Sequence, residues 1–179
     1  MRFFTPSLYM SYNSSDAAQA DSADELWEHA VQAYQQHWNE IAQGLSARIR
    51  RLRELCLHDA EFLSWPSETT VKSAWATQPF WSRVSVISLR HHHEIVTLTY
   101  FLRDDIQVRS APADWRFSGM PLHWLYDEVD VTQTPVPLYW HRILVSDGRV
   151  LEIPMTDVVV FRAPFDSPGL AAEQELTHA

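Results

Sequence analysis

"CLHDAEF", residues 56–62, is where helical periodicity stops and strand-like alternation begins, with His58 and Asp59 side by side at the change. A histidine next to an aspartate can be half of a metal site. It can equally be the polar hinge between a helical segment and a sheet. The residues on either side decide which, because a hinge requires two different periodicities to meet there.

Upstream, "NSSDAAQADSADELWE" offers a helix start. Ser22 as N-cap with Glu25 three residues later makes a capping box, and Asp24 and Glu28 suit the positive helix end. Trp27, Val31, Tyr34, Trp38, Ile41 and Leu45 recur at steps of four and three, which gathers them into one apolar stripe. Gly44 can take the left-handed conformation that stops this helix, and Ser46 can cap a second one carrying Ile49, Leu52 and Cys56 on one face. The spacing predicts an N-terminal antiparallel helical hairpin. Arg48, Arg50, Arg51 and Arg53 fall away from its apolar face, as a solvated set paired with nearby acids.

Downstream, "RVSVISLR" and "EIVTLTYFL" are rich in β-branched residues and alternate as strands do. "PLHWLYDEVDV", "LYWHRILV", "VLEIP" and "DVVVFRAP" continue the series. Asp147-Gly148 reads as a two-residue hairpin turn, which would set Leu144 opposite Leu151 and Val145 opposite Val150. Two long loops, "SWPSETTVKSAWATQPFW" and "SAPADWRFSGMP", hold Trp65, Trp75, Trp81 and Trp115. Such loops either fold down on their aromatic side chains or rim a pocket or partner site. The expected architecture is one α+β domain over residues 1–165, the helical hairpin packed on a mostly antiparallel sheet, with 166–179 as a flexible tail.

The totals narrow the function classes. A formal net charge of −9 repels phosphate backbones and anionic lipid, so neither nucleic acid nor membrane is an expected partner, and a basic protein is. No apolar run reaches the ~20 residues of a membrane span, and Pro6 and Ser7 interrupt the apolar start in a way signal peptides do not, which points to the cytoplasm. One cysteine, Cys56, fits a reducing compartment and a small core residue. Four scattered glycines build no phosphate loop, and no cofactor is expected.

Three constellations could carry chemistry. The His–Asp phosphohydrolases hold metal through an upstream His, here His29 or His37, then the dyad and a later Asp, all on helices; the strand-rich sequence after Asp59 puts that last ligand on the wrong scaffold. The hinge reading of His58 and Asp59 is preferred. His91, His92 and His93 lie in a run between two strands, where adjacent side chains diverge. His123, Asp127 and His141, with His58 as a further ligand, could form the metal site of a hydrolase if their strands are neighbours. Asp127 with Glu128 and Asp130 makes an acidic segment suited to a cationic partner, and Trp75, Trp81 and Trp115 could line a small-ligand pocket.

The order of "MRFFTPSLYM", "CLHDAEF", "LYDEVDV" and "ILVSDGRVLEIP" resembles a group of bacterial single-domain proteins with an FTP-x-LY arm, an LHDA turn and a late SDGR hairpin. That group has no assigned activity, so the resemblance implies one bacterial domain and carries over no site residue. The sequence thus favours a non-enzymatic, acidic protein-binding module of the immunity-protein kind, with the metal hydrolase and the small-ligand domain as its rivals.

Overall fold

A computed structural model describes residues 1–72, 81–117, 120–132 and 137–165. Its element order is α1 (Pro6–Tyr12), α2 (Ala17–Ile41), a 3-10 turn (Ala42–Gly44), α3 (Ala47–Leu52), β1 (Glu61–Phe62), β2 (Ser67–Lys72), β3 (Trp81–His91), β4 (Glu94–Leu102), β5 (Gln107–Arg109), β6 (Trp124–Thr132), β7 (Leu138–Val145) and β8 (Val150–Pro164). The fold is α+β, with a curled antiparallel sheet.

The helices differ from the expected hairpin. The arm itself is helical, because Thr5 caps the Leu8 amide at 3.2 Å and Pro6 stands at the first helical position, where its missing N–H costs nothing. α2 starts at Asp16, whose carboxylate accepts from Ala18 at 3.0 Å, while Ser22 lies inside the helix and bonds back to the Ala18 carbonyl. Ser46 caps α3 as expected, through the Ile49 amide at 3.2 Å. α3 is only six residues long and packs on β8, whereas α2, 25 residues long, packs on α1 and β6. Two matched rods are therefore replaced by three unequal helices. Because α3 ends at Leu52, its apolar face never reaches Cys56, which is exposed and not a core residue. Val31 also leaves the expected stripe for solvent. Among the described residues, no helix is long and apolar enough to cross a membrane.

Among the described residues the sheet has eight strands in the order β1-β3-β4-β8-β7-β6, with β2 beside β3 and β5 beside β8. β4 and β7 coincide with the alternating runs "EIVTLTYFL" and "LYWHRILV". β8 joins the two strands expected at its ends into one of 15 residues. β2 runs through the stretch expected to be loop, where Thr69, Thr70 and Val71 supply β-branched residues to an edge. The two ends of the sheet meet at the "LHDA" turn: Asp59 N–H donates to the Trp124 carbonyl at 2.8 Å, Trp124 N–H to the Ala60 carbonyl at 2.8 Å, and Glu61 bridges to His123. Asp59 takes φ of 65°, a left-handed conformation that Asp tolerates because its side chain bonds locally. Its neighbour His58 lies in this turn, so the dyad position is a hinge that closes a ring.

The β7–β8 hairpin is offset by one from the expected register, with Leu144 opposite Val150 and Ile143 opposite Leu151. The loop contains three residues, Ser146, Asp147 and Gly148. Gly148 N–H donates to Val145 C=O at 2.8 Å and Val145 N–H to Arg149 C=O at 2.9 Å, the geometry of a type I turn followed by a left-handed residue. Gly148 has φ of 84°. The main core lies inside the curl, where Leu98, Tyr100, Trp124, Ile143, Leu151, Ile153 and Met155 meet Trp38, Ile49 and Leu52 from the helices. A smaller cluster of Leu125, Leu144 and Val150 lies outside, under Tyr9, Trp115 and Tyr126.

Trp115 packs directly on Gly148: a Cβ there would stand 2.6 Å from the indole Cγ and 2.8 Å from the Ala111 Cβ. Gly148→Ala combines a left-handed penalty with this overlap, and chemical denaturation is expected to show a loss of about 2–4 kcal/mol.

Candidate functional site

Strand β6 carries most of the candidate residues and divides them between its two faces. A bulge between Trp124 and Tyr126 breaks the simple alternation. Trp124 and Asp127, three apart, consequently share the inner face, and the indole N–H donates to the Asp127 carboxylate at 3.1 Å. His123 does not join them. It is held by its backbone, donating to Ser146 Oγ at 2.9 Å while its carbonyl accepts from the Ser146 amide at 2.9 Å.

On the inner face, His141 from β7 meets the other Asp127 oxygen through Nε2 at 3.1 Å and the Tyr100 hydroxyl through Nδ1 at 2.9 Å. A carboxylate only accepts, so Nε2 carries a proton toward Asp127, and Nδ1 shares a hydrogen bond with the phenol. Tyr100 is 0% exposed and His141 1%. Burial, with a smaller contribution from Asp127, pushes the Tyr100 phenol well above its ordinary range. The chain Tyr100–His141–Asp127–Trp124 is therefore hydrogen-bonded throughout and ends in a phenol that solvent does not reach. Tyr100 was missed by sequence reasoning, although its place in the buried series Val96, Leu98, Tyr100, Leu102 was readable.

His58 is elsewhere, its Nδ1 2.9 Å from Asp59 and its ring edge-on to Tyr126 at 5.0 Å. The structure therefore unites two of the four candidate ligands, His141 and Asp127. Among the described residues, no three His, Cys, Asp or Glu side chains are grouped to hold a metal ion. His92 and His93 form the β3–β4 turn; partial burial and the neighbouring His92 lower the His91 pKa.

The outer face holds charge. Glu128, 1% exposed, accepts three consecutive amides of the arm: Arg2 at 2.7 Å, Phe3 at 2.6 Å and Phe4 at 2.6 Å. Cross-strand register sets Arg142 between Glu128 and Glu152. Arg142 donates to Glu152 at 3.1 Å and to Asp130 at 3.0 Å, and Arg109 closes on Glu152 at 2.7 Å. His37 from α2 reaches the second Asp130 oxygen at 3.0 Å. Partial burial would raise the Asp130 pKa, but bonds from Arg142 and the Val131 amide outweigh it and hold the carboxyl below its ordinary value. Asp127, Glu128 and Asp130 thus all have internal partners.

The arm is also clamped by aromatics. Phe4 sits between Trp27 at 5.3 Å, Tyr34 at 5.5 Å and Tyr126 at 5.7 Å. Tyr34 in turn accepts the edge N–H of Val129 at 2.8 Å, and burial, followed by Asp127, pushes its phenol far above the usual range. Of the tryptophan candidates, Trp115 stacks on Tyr9 at 5.6 Å and donates to the Ser146 carbonyl at 3.1 Å, anchoring its loop to the hairpin. Trp75 and the side chain of Trp81 lie outside the described residues.

No protein-family model matches the sequence, and no curated protein matches it either.

Removing the clasp leaves three arm amides without their acceptor, so Glu128→Ala is expected to cost about 3–5 kcal/mol in urea unfolding and to expose Phe4 to solvent. The depressed Asp130 contributes stability that is present at neutral pH and lost as pH falls from about 4 through its folded value. Asp130→Asn should flatten that acid limb of the stability profile measured by denaturant titration.

Proposed function

We propose that the protein is a non-enzymatic, acidic protein-binding module of the immunity-protein kind, from the bacterial group sharing the FTP-x-LY arm and acting in the cytoplasm on a basic partner. One observation carries this. α2 contains no lysine or arginine, and its exposed Asp21, Asp24, Glu25 and Glu28 repeat at helical spacing along its solvent side. None of the four is in an ion pair among the described residues, whereas the acids of the outer sheet face are engaged by Arg142, Arg109 and His37. An unneutralised acidic helix face steers a cationic surface toward it and speeds encounter.

The inner polar chain supports a structural role in place of a catalytic one. A general acid or base needs to come within hydrogen-bond reach of a substrate, and the Tyr100 hydroxyl is buried and already bonded to His141.

Capture from the native host at low salt should recover one stoichiometric protein of high pI that salt releases. The Asp21→Lys, Glu25→Lys, Glu28→Lys triple variant should weaken capture about tenfold or more. Recovery of no stoichiometric partner, or a partner held equally by the triple variant, would overturn the reading.

A further inference from the structure

Three stretches singled out in the sequence, "FTPSLY", "LHDA" and "LYDEVD", meet at one surface patch. Tyr9 and Tyr12, three apart on α1, share a face of that helix. Tyr9 approaches Tyr126 of β6 at 6.1 Å, and His58 from the turn meets the same ring edge-on at 5.0 Å. α2 adds Trp27, 4.6 Å from Tyr126 and 5.2 Å from Tyr12. The rings are only partly covered: Tyr12 is exposed, and Tyr9, Trp27 and Tyr126 are half-buried. The Asp59 side chain, 74% exposed, holds His58 Nδ1 through Oδ2 at 2.9 Å and leaves Oδ1 free among the described residues.

The patch is rich in acceptors and lacks a cation. Among the described residues the hydroxyls of Tyr9, Tyr12 and Tyr126 form no hydrogen bond, whereas those of Tyr34, Tyr100 and Tyr139 each do. Phe3, Tyr34, Trp38 and Trp65 already carry an arginine of this chain over the ring, at 4.9, 6.0, 5.1 and 4.1 Å. Among the described residues Tyr9, Tyr12, Trp27 and Tyr126 carry none. Burial pushes the Tyr126 phenol up, and Tyr9, Tyr12 and Asp59 push it the same way. Asp59 does the same to Tyr9, after burial. Phenol oxygens and one carboxylate therefore converge here with no positive group of the chain set against them.

We infer that this patch is where a basic partner seats an arginine side chain, an inference that rests on the protein-binding reading above and gives it a contact. A guanidinium lying on the Tyr12 and Tyr126 rings gains cation–π attraction, and its edge N–H groups reach Asp59 Oδ1 and the phenol oxygens, all of which accept. Arginine suits the patch better than lysine, because its planar fork lies flat on aromatic rings and keeps several N–H groups in plane for the carboxylate. An apolar side chain would bury Asp59 without a countercharge, and an anion would be repelled by it. Asp24, exposed one turn before Trp27 on α2, extends the field that draws a cation in.

Titration of acetyl-arginine amide into the isotope-labelled full chain, followed by NMR, is expected to move the Tyr12, Asp59 and Tyr126 amide signals, and acetyl-lysine amide to move them less at equal concentration. Tyr12→Ser and Asp59→Asn should each weaken capture of the partner about fivefold or more. Both should leave the thermal melt unchanged, because Tyr12 is exposed and Asn tolerates the left-handed backbone at residue 59. A partner held equally by both variants but lost by the Asp21→Lys, Glu25→Lys, Glu28→Lys triple variant overturns this inference and leaves the acidic-module reading standing. If no partner is recovered, that reading falls and the titration decides the patch: signals that stay in place, or that move equally with the lysine compound, overturn the inference.

Discussion

The two hydrogen bonds that tie Asp59 and Ala60 to Trp124 hold the rest of the structure in place, because they join the first strand of the sheet to the last. Without this seam, which the Glu61–His123 bridge and the Phe62 N–H bond to the Leu122 carbonyl at 2.9 Å extend, the sheet would be an open ribbon with edges at β1 and β6. With it, the curl closes, and the residues just beyond the seam are placed by it. Trp124 is turned inward and buried at 1% exposure, the following bulge resets the alternation, and Asp127 arrives beside the indole N–H. The left-handed Asp59 is the backbone cost of that turn, about 1–2 kcal/mol for most residues and less for Asp.

Two ways of burying polarity lie back to back on β6, and their energetics differ. Inside, the chain from Tyr100 to Asp127 is a set of hydrogen bonds, each worth about 0.5–1.5 kcal/mol net, and its value lies mainly in leaving few groups unpaired. Outside, Glu128 loses nearly all its water, which costs several kcal/mol. Three amide bonds to a charged acceptor, at about 1.5–3 kcal/mol each, are of the size needed to offset that loss. The consequence is specific: only an arm whose backbone turns three successive N–H groups to one side can satisfy the site. The charged row therefore selects one docking of the arm, while the aromatic cage around Phe4 supplies the apolar burial.

The legible and the illegible parts of this fold divide along physical lines. Alternation of side chains survives in sequence, so "EIVTLTYFL" and "LYWHRILV" coincide with β4 and β7, and Ser46 announces α3 because its cap is a side-chain bond. Backbone events leave no such trace. The bulge at Trp124 separates His123 from Asp127, and the three-residue loop at Gly148 moves the hairpin register by one. Nothing in the string "DEVD" distinguishes carboxylates facing solvent from a Glu128 whose partners are the main-chain amides of residues 2–4. Tyr100 lay at a readable inward position, but its link to His141 spans 41 residues and crosses an intervening strand.

Charge placement follows from this packing. The aromatic face of α2, through Trp27, Tyr34 and Trp38, is used up against the arm, β6 and the core. A helix whose apolar stripe is committed has no freedom to rotate, so the opposite stripe of Asp21, Glu25 and Glu28 must face water. Meanwhile the arginines of the sheet neutralise the acids around them, Arg142 and Arg109 on the outer face and Arg162 on Glu94 at the β4–β8 ladder. The surplus negative charge is thereby concentrated on one helix instead of spread over the sheet. Within a Debye length of ~8 Å at physiological salt, an approaching cation responds to that local surplus more than to the net charge of the whole. The arm clasped by Glu128 thus does more than stabilise the fold: by fixing the rotation of α2, it decides which side of the molecule presents an acidic surface.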